Sequence, residues 1–299
     1  MKLYAALITA FLACASAAAQ PAVSAQASEL KEHYDKAFGF YLAGDYPRAM
    51  EYWNMILRSD PKQVTARNMI EEARQKMAGS SVNLKAAFNR LLEKGRYSDA
   101  LVKLEELLST DPTNPYYLKV QKQLRGIAAI LPRKPTAAKH WDAAGDGILA
   151  WLGEKEDLPF AYDALRYAGE LAPAEASIRK LVAVLEDEAP QLKLNDSKPE
   201  NVGILEHKKE LALHNIYDSK FYLAAKELEG VLRLEPEDVT ALKRAGSVYL
   251  QLKDYPQARQ AWQKAVKLSP EDDQLKEYLK ALDEAAPPQT APRRPKKRS

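Results

Sequence analysis

The sequence predicts an all-α protein: an α-solenoid of antiparallel helix pairs with about 14 helices, which the chain allows to fall into two lobes. Three observations lead there. Two long segments late in the chain align residue for residue at a spacing of 34. No stretch alternates apolar and polar residues at the period of a half-buried strand. Glycine is scarce, at 12 in 299 residues, which speaks against turn-dense β architectures, while 46% hydrophobic and 28% charged residues describe a globular chain rather than a disordered one.

From the N-terminus, residues 1–19 place Lys2 ahead of an apolar run from Leu3 to Ala13 and end in Ala17-Ala18-Ala19. A positive start, a short apolar centre and a small-residue exit are the parts of a secretory signal peptide, and the run is too short for a membrane-spanning helix of about 20 residues. The expected address is export to the periplasm. Cys14, the single cysteine, follows Phe11-Leu12-Ala13, which offers a lipoprotein-type outer-membrane anchor as one alternative and secretion as another. Cleavage after Ala19 leaves a chain without cysteine, hence without disulfides or a thiol nucleophile.

Residues 20–28 read as a linker and 29–131 as an N-terminal lobe of helix pairs. The unit recurs as Gly44-Asp45-Tyr46, Ala49, Trp53, Ile56, Pro61 and again as Gly95-Arg96-Tyr97, Ala100, Leu104, Leu107, Pro112. These copies stand 51 residues apart, one and a half periods, so a lone helix over 64–78 is expected between them. A further helix is expected over 115–131. Residues 132–188 read as degenerate helical repeats, with Ala161, Leu165, Ala168 and Pro173 keeping the pattern and a helix over 174–188. The stretch 189–202, with Pro190 and Pro199, reads as a linker or hinge. Residues 203–285 form a C-terminal lobe with a capping helix over 271–285. Its two copies set Phe221, Ala224, Leu228 and Pro236 beside Tyr255, Ala258, Trp262 and Pro270.

These residues resemble the tetratricopeptide repeat, whose period is 34 and whose first helix carries the small pair Ala245-Gly246 and the aromatic Tyr249. Close antiparallel packing explains the types: Ala or Gly where helices approach, a large apolar residue in the gap, and proline to close the second helix. The resemblance implies a superhelix whose concave groove binds peptides or helices of partner proteins. Carried onto the first copy, its groove positions are Lys31, Tyr34, Phe38, Tyr41 and Leu42. Tyr34, Phe38 and Tyr41 make one aromatic stripe, either a pocket for apolar side chains or a surface packed against the helix over 64–78. In the second copy Lys85 and Asn89 resemble part of a clamp for a peptide carboxylate, without a matching set in the following pair. Lys209, Lys243 and Arg244 give the C-terminal groove a mildly basic character suited to acidic peptides.

Catalytic strings are missing: the sequence has no H-E-x-x-H, G-x-S-x-G, P-loop or dinucleotide fingerprint, so no enzyme, cofactor or metal is expected. His207, Glu210 and His214 share one helix face, but their spacing is loose for zinc. The run Asp142–Gly147 lacks oxygen ligands at the places a calcium loop needs. A catalytic role would require the irregular middle to form a deep pocket with converging polar groups.

Net charge is +3, yet Arg293, Arg294, Lys296, Lys297 and Arg298, together with Lys2, outweigh it and leave the rest of the chain at −3. The Pro-rich basic tail 286–299 reads as disordered, with no specific nucleic-acid role. The expected function is a non-catalytic scaffold of the bacterial cell envelope. The alternative is a peripheral binder of anionic polymer or membrane surface through the tail, with the solenoid as spacer and no membrane span.

Overall fold

The computed structural model describes residues 20–285, and every described regular element is helical. The chain divides into two compact units with the boundary between Ala87 and Phe88.

The first unit holds α1 (Gln20–Leu42), α2 (Tyr46–Ser59) and the greater part of α3 (Val64–Glu93). Helix α1 spans Gln20–Leu42, so residues 20–28, expected as a linker, are helical. The helix expected over 64–78 and the first helix of the next copy are one continuous 30-residue α3. Between them stand Gly79, Ser80 and Ser81 and no proline. A single glycine costs a helix interior only about 1 kcal/mol, too little to end it. Trp53 and Ile56 of α2 are fully buried against Ala37 of α1 and Ala66, Ile70 and Ala73 of α3.

The second unit follows from the end of α3 through α4 (Tyr97–Thr110), α5 (Pro115–Ile130), α6 (Lys139–Leu152), α7 (Leu158–Leu171), α8 (Ala176–Glu188), the single turn α9 (Gln191–Leu194), α10 (Ile204–Tyr217), α11 (Phe221–Leu234), α12 (Val239–Gln251), α13 (Tyr255–Leu268) and α14 (Asp273–Ala285). Helices pack mainly on their neighbours in the chain, as stacked repeats do. The alternation is interrupted after α5, which packs on α4 while α6 pairs with α7, and after α8, which is followed only by the single turn α9. The sequence expects a hinge over 189–202. There the chain carries α9 and is tied down, by Arg166 to Asp196 at 2.7 Å and Lys198 to Glu170 at 3.7 Å.

Local chemistry sets the second helices. Asp45-Tyr-Pro47, Asp157-Leu-Pro159 and Asp254-Tyr-Pro256 open α2, α7 and α13 alike: the carboxylate accepts a backbone N–H of the first turn, and proline fills a position whose N–H has no helical partner. The turns before α2, α4, α11 and α13 pass through a left-handed residue, Gly44, Gly95, Ser219 and Lys253 respectively. The Asp142–Gly147 run lies inside α6, where Gly147 lets α7 approach. A Cβ there would come within 3.1 Å of the Ala161 carbonyl.

Candidate partner-binding faces

Tyr34, Lys85, Lys209 and Lys243 occupy the same position of the repeat in α1, α3, α10 and α12, and the structure gives that position a structural task. The Lys209 ammonium donates to Asp238 at 2.8 Å, and the Lys243 ammonium donates to Asp272 at 2.6 Å. Asp238 caps α12 by accepting the Ala241 N–H, and Asp272 accepts the Leu275 N–H at the start of α14. Each lysine thus holds the cap of the next first helix, 29 residues ahead. The Tyr34 hydroxyl makes the corresponding bond to Gln63, which precedes α3.

The basic groove expected at Lys209, Lys243 and Arg244 is therefore corrected: its cations are already engaged. Lys209 is buried and also meets Glu206 at 2.6 Å. Arg244 donates to the Lys209 carbonyl at 2.6 Å and faces Glu210 at 3.5 Å. Burial pulls the Lys209 ammonium down, but its hydrogen bonds to Asp238 and Glu206 outweigh this and raise its pKa. The hydrogen bond from Lys243 lowers the pKa of Asp272. Lys85 is half-buried and engaged, and Asn89 is exposed on the far part of α3.

On α1 the aromatic stripe packs within its own unit. Phe38 and Tyr41 meet the Trp53 ring edge-on at 5.9 and 5.5 Å, and Tyr34 stacks on Phe38 at 6.2 Å. The Tyr41 hydroxyl donates to Glu72 of α3 at 2.5 Å, and Lys76 lies over the Tyr41 ring. Packing therefore claims most of Tyr34 and Tyr41. Phe38 keeps 37% exposure, and Leu42, one turn on, keeps 83%. The α1 face thus ends in an apolar edge, Phe38 and Leu42, beside the polar pairs Tyr34–Gln63 and Tyr41–Glu72.

Sequence reasoning did not find a cleft of about 490 Å³ between α7, α9 and α10 in the irregular middle. Polar groups converge there and are spent on one another. Arg166 pairs with Asp196 and lies over the Tyr162 ring at 4.7 Å. Lys208 pairs with Asp163 at 2.8 Å and Glu227 at 3.1 Å. Burial pushes the Asp163 carboxyl up, and burial followed by the bond to Glu186 pushes Tyr162 up to about 12. Ser197 Oγ lies 3.3 Å from His207 Nε2, but Asp196 is held by Arg166 and the Lys198 N–H and does not orient the imidazole. His214 instead places Nδ1 against the Glu210 carbonyl. No group of three His, Cys, Asp or Glu side chains suited to a metal occurs among the described residues. These partners lie across the break in the 34-residue period, so no repeat position announces them.

Among the described residues no helix is long and apolar enough to cross a membrane. The leader with Cys14 and the cations Arg293, Arg294, Lys296, Lys297 and Arg298 lie outside the described residues.

Residues 210–273, from within α10 to the first residue of α14, match a family model described as tetratricopeptide repeat. No curated protein matches the chain. Two solved structures are similar. One is the TPR2AB-domain:pHSP90-complex of yeast Sti1, 16% identical, with 87% of this chain and 84% of that one covered and a TM-score of 0.26. The other is the TPR domain of P58(IPK), also 16% identical, covering 86% of this chain and 98% of that one with a TM-score of 0.19. Over residues 210–273 the chain is thus similar to the tetratricopeptide repeat.

Proposed function

We propose that this protein is a non-catalytic scaffold that holds partner proteins on the exposed faces of its first helices, exported to a bacterial cell envelope. The observation that carries the reading is the apolar edge of α1, where Phe38 and Leu42 stay exposed at groove positions while their neighbours are fixed by packing. A large apolar side chain left open beside hydrogen-bonded tyrosines suits the anchor residue of a peptide or helix. The tetratricopeptide match and the signal-like leader support the scaffold class and the address.

A photocrosslinking amino acid at position 42, introduced in the native host, tests this. One discrete partner adduct is expected, and it should vanish in Phe38→Glu while circular dichroism stays unchanged. Adducts indifferent to Phe38→Glu would sink the reading. A second reading, attachment to an anionic surface through Arg293–Arg298, rests on the five cations of the tail. Deleting 286–299 separates the two: a face-driven scaffold keeps its position-42 adduct, and a tail-driven binder loses a steeply salt-dependent target.

A further inference from the structure

We infer that the basic segment 286–299 docks in cis on the exposed face of α14, α12 and α10. The repeat register supplies the first half of the argument. Lys209 and Lys243 are followed, 34 residues on, by Glu277, so the third first-helix position reverses sign. Glu277 and Glu284 are exposed on α14 and meet no cation among the described residues. With Glu206, Glu210, Asp238 and Asp272, six carboxylates share this face. Against them stand Lys209, Lys243 and Arg244, all engaged, and Lys280 at the flank. The face also has an apolar end, where Tyr217 is 77% exposed beside half-buried Leu213 and Ile216.

Chain length supplies the second half. The segment leaves directly from Ala285, the last residue of α14, and carries five cations and the prolines Pro287, Pro288, Pro292 and Pro295. Proline-rich chain extends about 3.1 Å per residue, so Arg293 to Arg298 reach roughly 25 to 40 Å from Ala285. Helix α14 has 13 residues, hence a length of about 20 Å, and adjacent first helices lie about 10 Å apart. The cations therefore reach back along α14 and across α12 to Glu206 and Glu210, with proline available to lie on the Tyr217 ring. Tethering at such a distance gives a millimolar effective concentration, enough to populate a contact that is weak between separate molecules.

Zero-length carbodiimide coupling of an equal mixture of ¹⁴N and ¹⁵N full-length chain, read by peptide mass mapping, tests the proposal. Lys296 or Lys297 should couple to Glu277, Glu284, Glu206 or Glu210 within one isotope, and coupling should fall at least fivefold in 1 M NaCl. In Glu277→Lys, coupling to the three remaining carboxylates should fall at least threefold. Mixed-isotope products would assign the contact to a second copy and overturn it, as would coupling spread over carboxylates of both units or unmoved by Glu277→Lys.

Discussion

The first and the last complete helix pairs solve the same packing problem with their glycines exchanged. In α12–α13 the small position is Gly246, and a Cβ there would lie 2.2 Å from Trp262 Nε1. The indole uses that space to donate to the Lys243 carbonyl at 3.1 Å. In α1–α2 the same position is Ala37 and the same tryptophan is Trp53, fully buried, whose Nε1 has no partner. An indole seated as Trp262 is would meet the methyl of Ala37, since a Cβ at the equivalent Gly246 falls 2.2 Å from Nε1. At the turn between helices the exchange runs the other way: Gly44 adopts φ of 80° in the first pair, and Lys253 adopts 61° in the last. Each pair thus spends glycine where the other tolerates a side chain, and each carries one unrelieved cost, a buried N–H in one and a strained turn in the other.

Gly246→Ala should be the most damaging single change. The rigid indole would have to retreat and lose its acceptor, so overpacking and a lost hydrogen bond add to about 3 kcal/mol. Urea unfolding followed by Trp fluorescence measures it. A loss below 1 kcal/mol would show that Trp262 moves freely and would undo the contrast with Trp53.

The link between repeats should matter next. Replacing Asp238 by Ala removes both the α12 cap and one of the two carboxylate partners of buried Lys209, for about 2 kcal/mol. A double-mutant cycle with Lys209→Met should return a coupling of about 1 kcal/mol, and a coupling near zero would make the pair decorative. The sign of the pH effect follows from the raised pKa of Lys209. Its stabilisation is complete below the unfolded-state value near 10.5 and is lost as pH rises through the folded-state value. Tyr162, raised to about 12 by burial and Glu186, acts in the same direction above pH 10. Stability should therefore decline beyond pH 10, and less so in Lys209→Met combined with Tyr162→Phe.

These positions also mark what the sequence could convey. The buried residues Trp53, Leu104, Leu228 and Trp262 were legible because the 34-residue period places one large apolar residue opposite one small one. The fusion of two expected helices into α3 was not, because period counting sees one and a half repeats but not whether the joint bends. Lys209 and Lys243 read as groove cations, since first-helix position alone marks them exposed. Only the capping aspartate 29 residues ahead reveals their task. The cleft at Arg166 and His207 lay beyond reach because its partners meet where the period fails.

Strain at the turn should be relieved by the reverse exchange. Lys253→Gly removes an L-residue from left-handed backbone at an exposed position, and the expected gain is about 1 kcal/mol, less the entropy glycine adds to the unfolded chain. Gly44→Lys should cost a similar amount, since nothing else lies within 4 Å of a Cβ at Gly44 and only the backbone is at issue. Unequal magnitudes would locate the turn energy in its surroundings rather than in φ.

The smallest effect carries the sharpest contrast. A glycine inside a helix ordinarily costs about 1 kcal/mol relative to alanine. Ala37→Gly should cost close to nothing, because opening the position lets the Trp53 indole settle as Trp262 does and donate to the carbonyl of Tyr34, 19 residues before it, as Lys243 stands before Trp262. The indole N–H proton resonance should move downfield and its exchange with solvent should slow. In the double variant Ala37→Gly with Trp53→Phe the helix penalty should return in full, since phenylalanine has no N–H to place. If Ala37→Gly alone already costs the full 1 kcal/mol with an unchanged indole resonance, the orphaned N–H is set by the aromatic crowd of Phe38 and Tyr41 around Trp53 rather than by the methyl of Ala37.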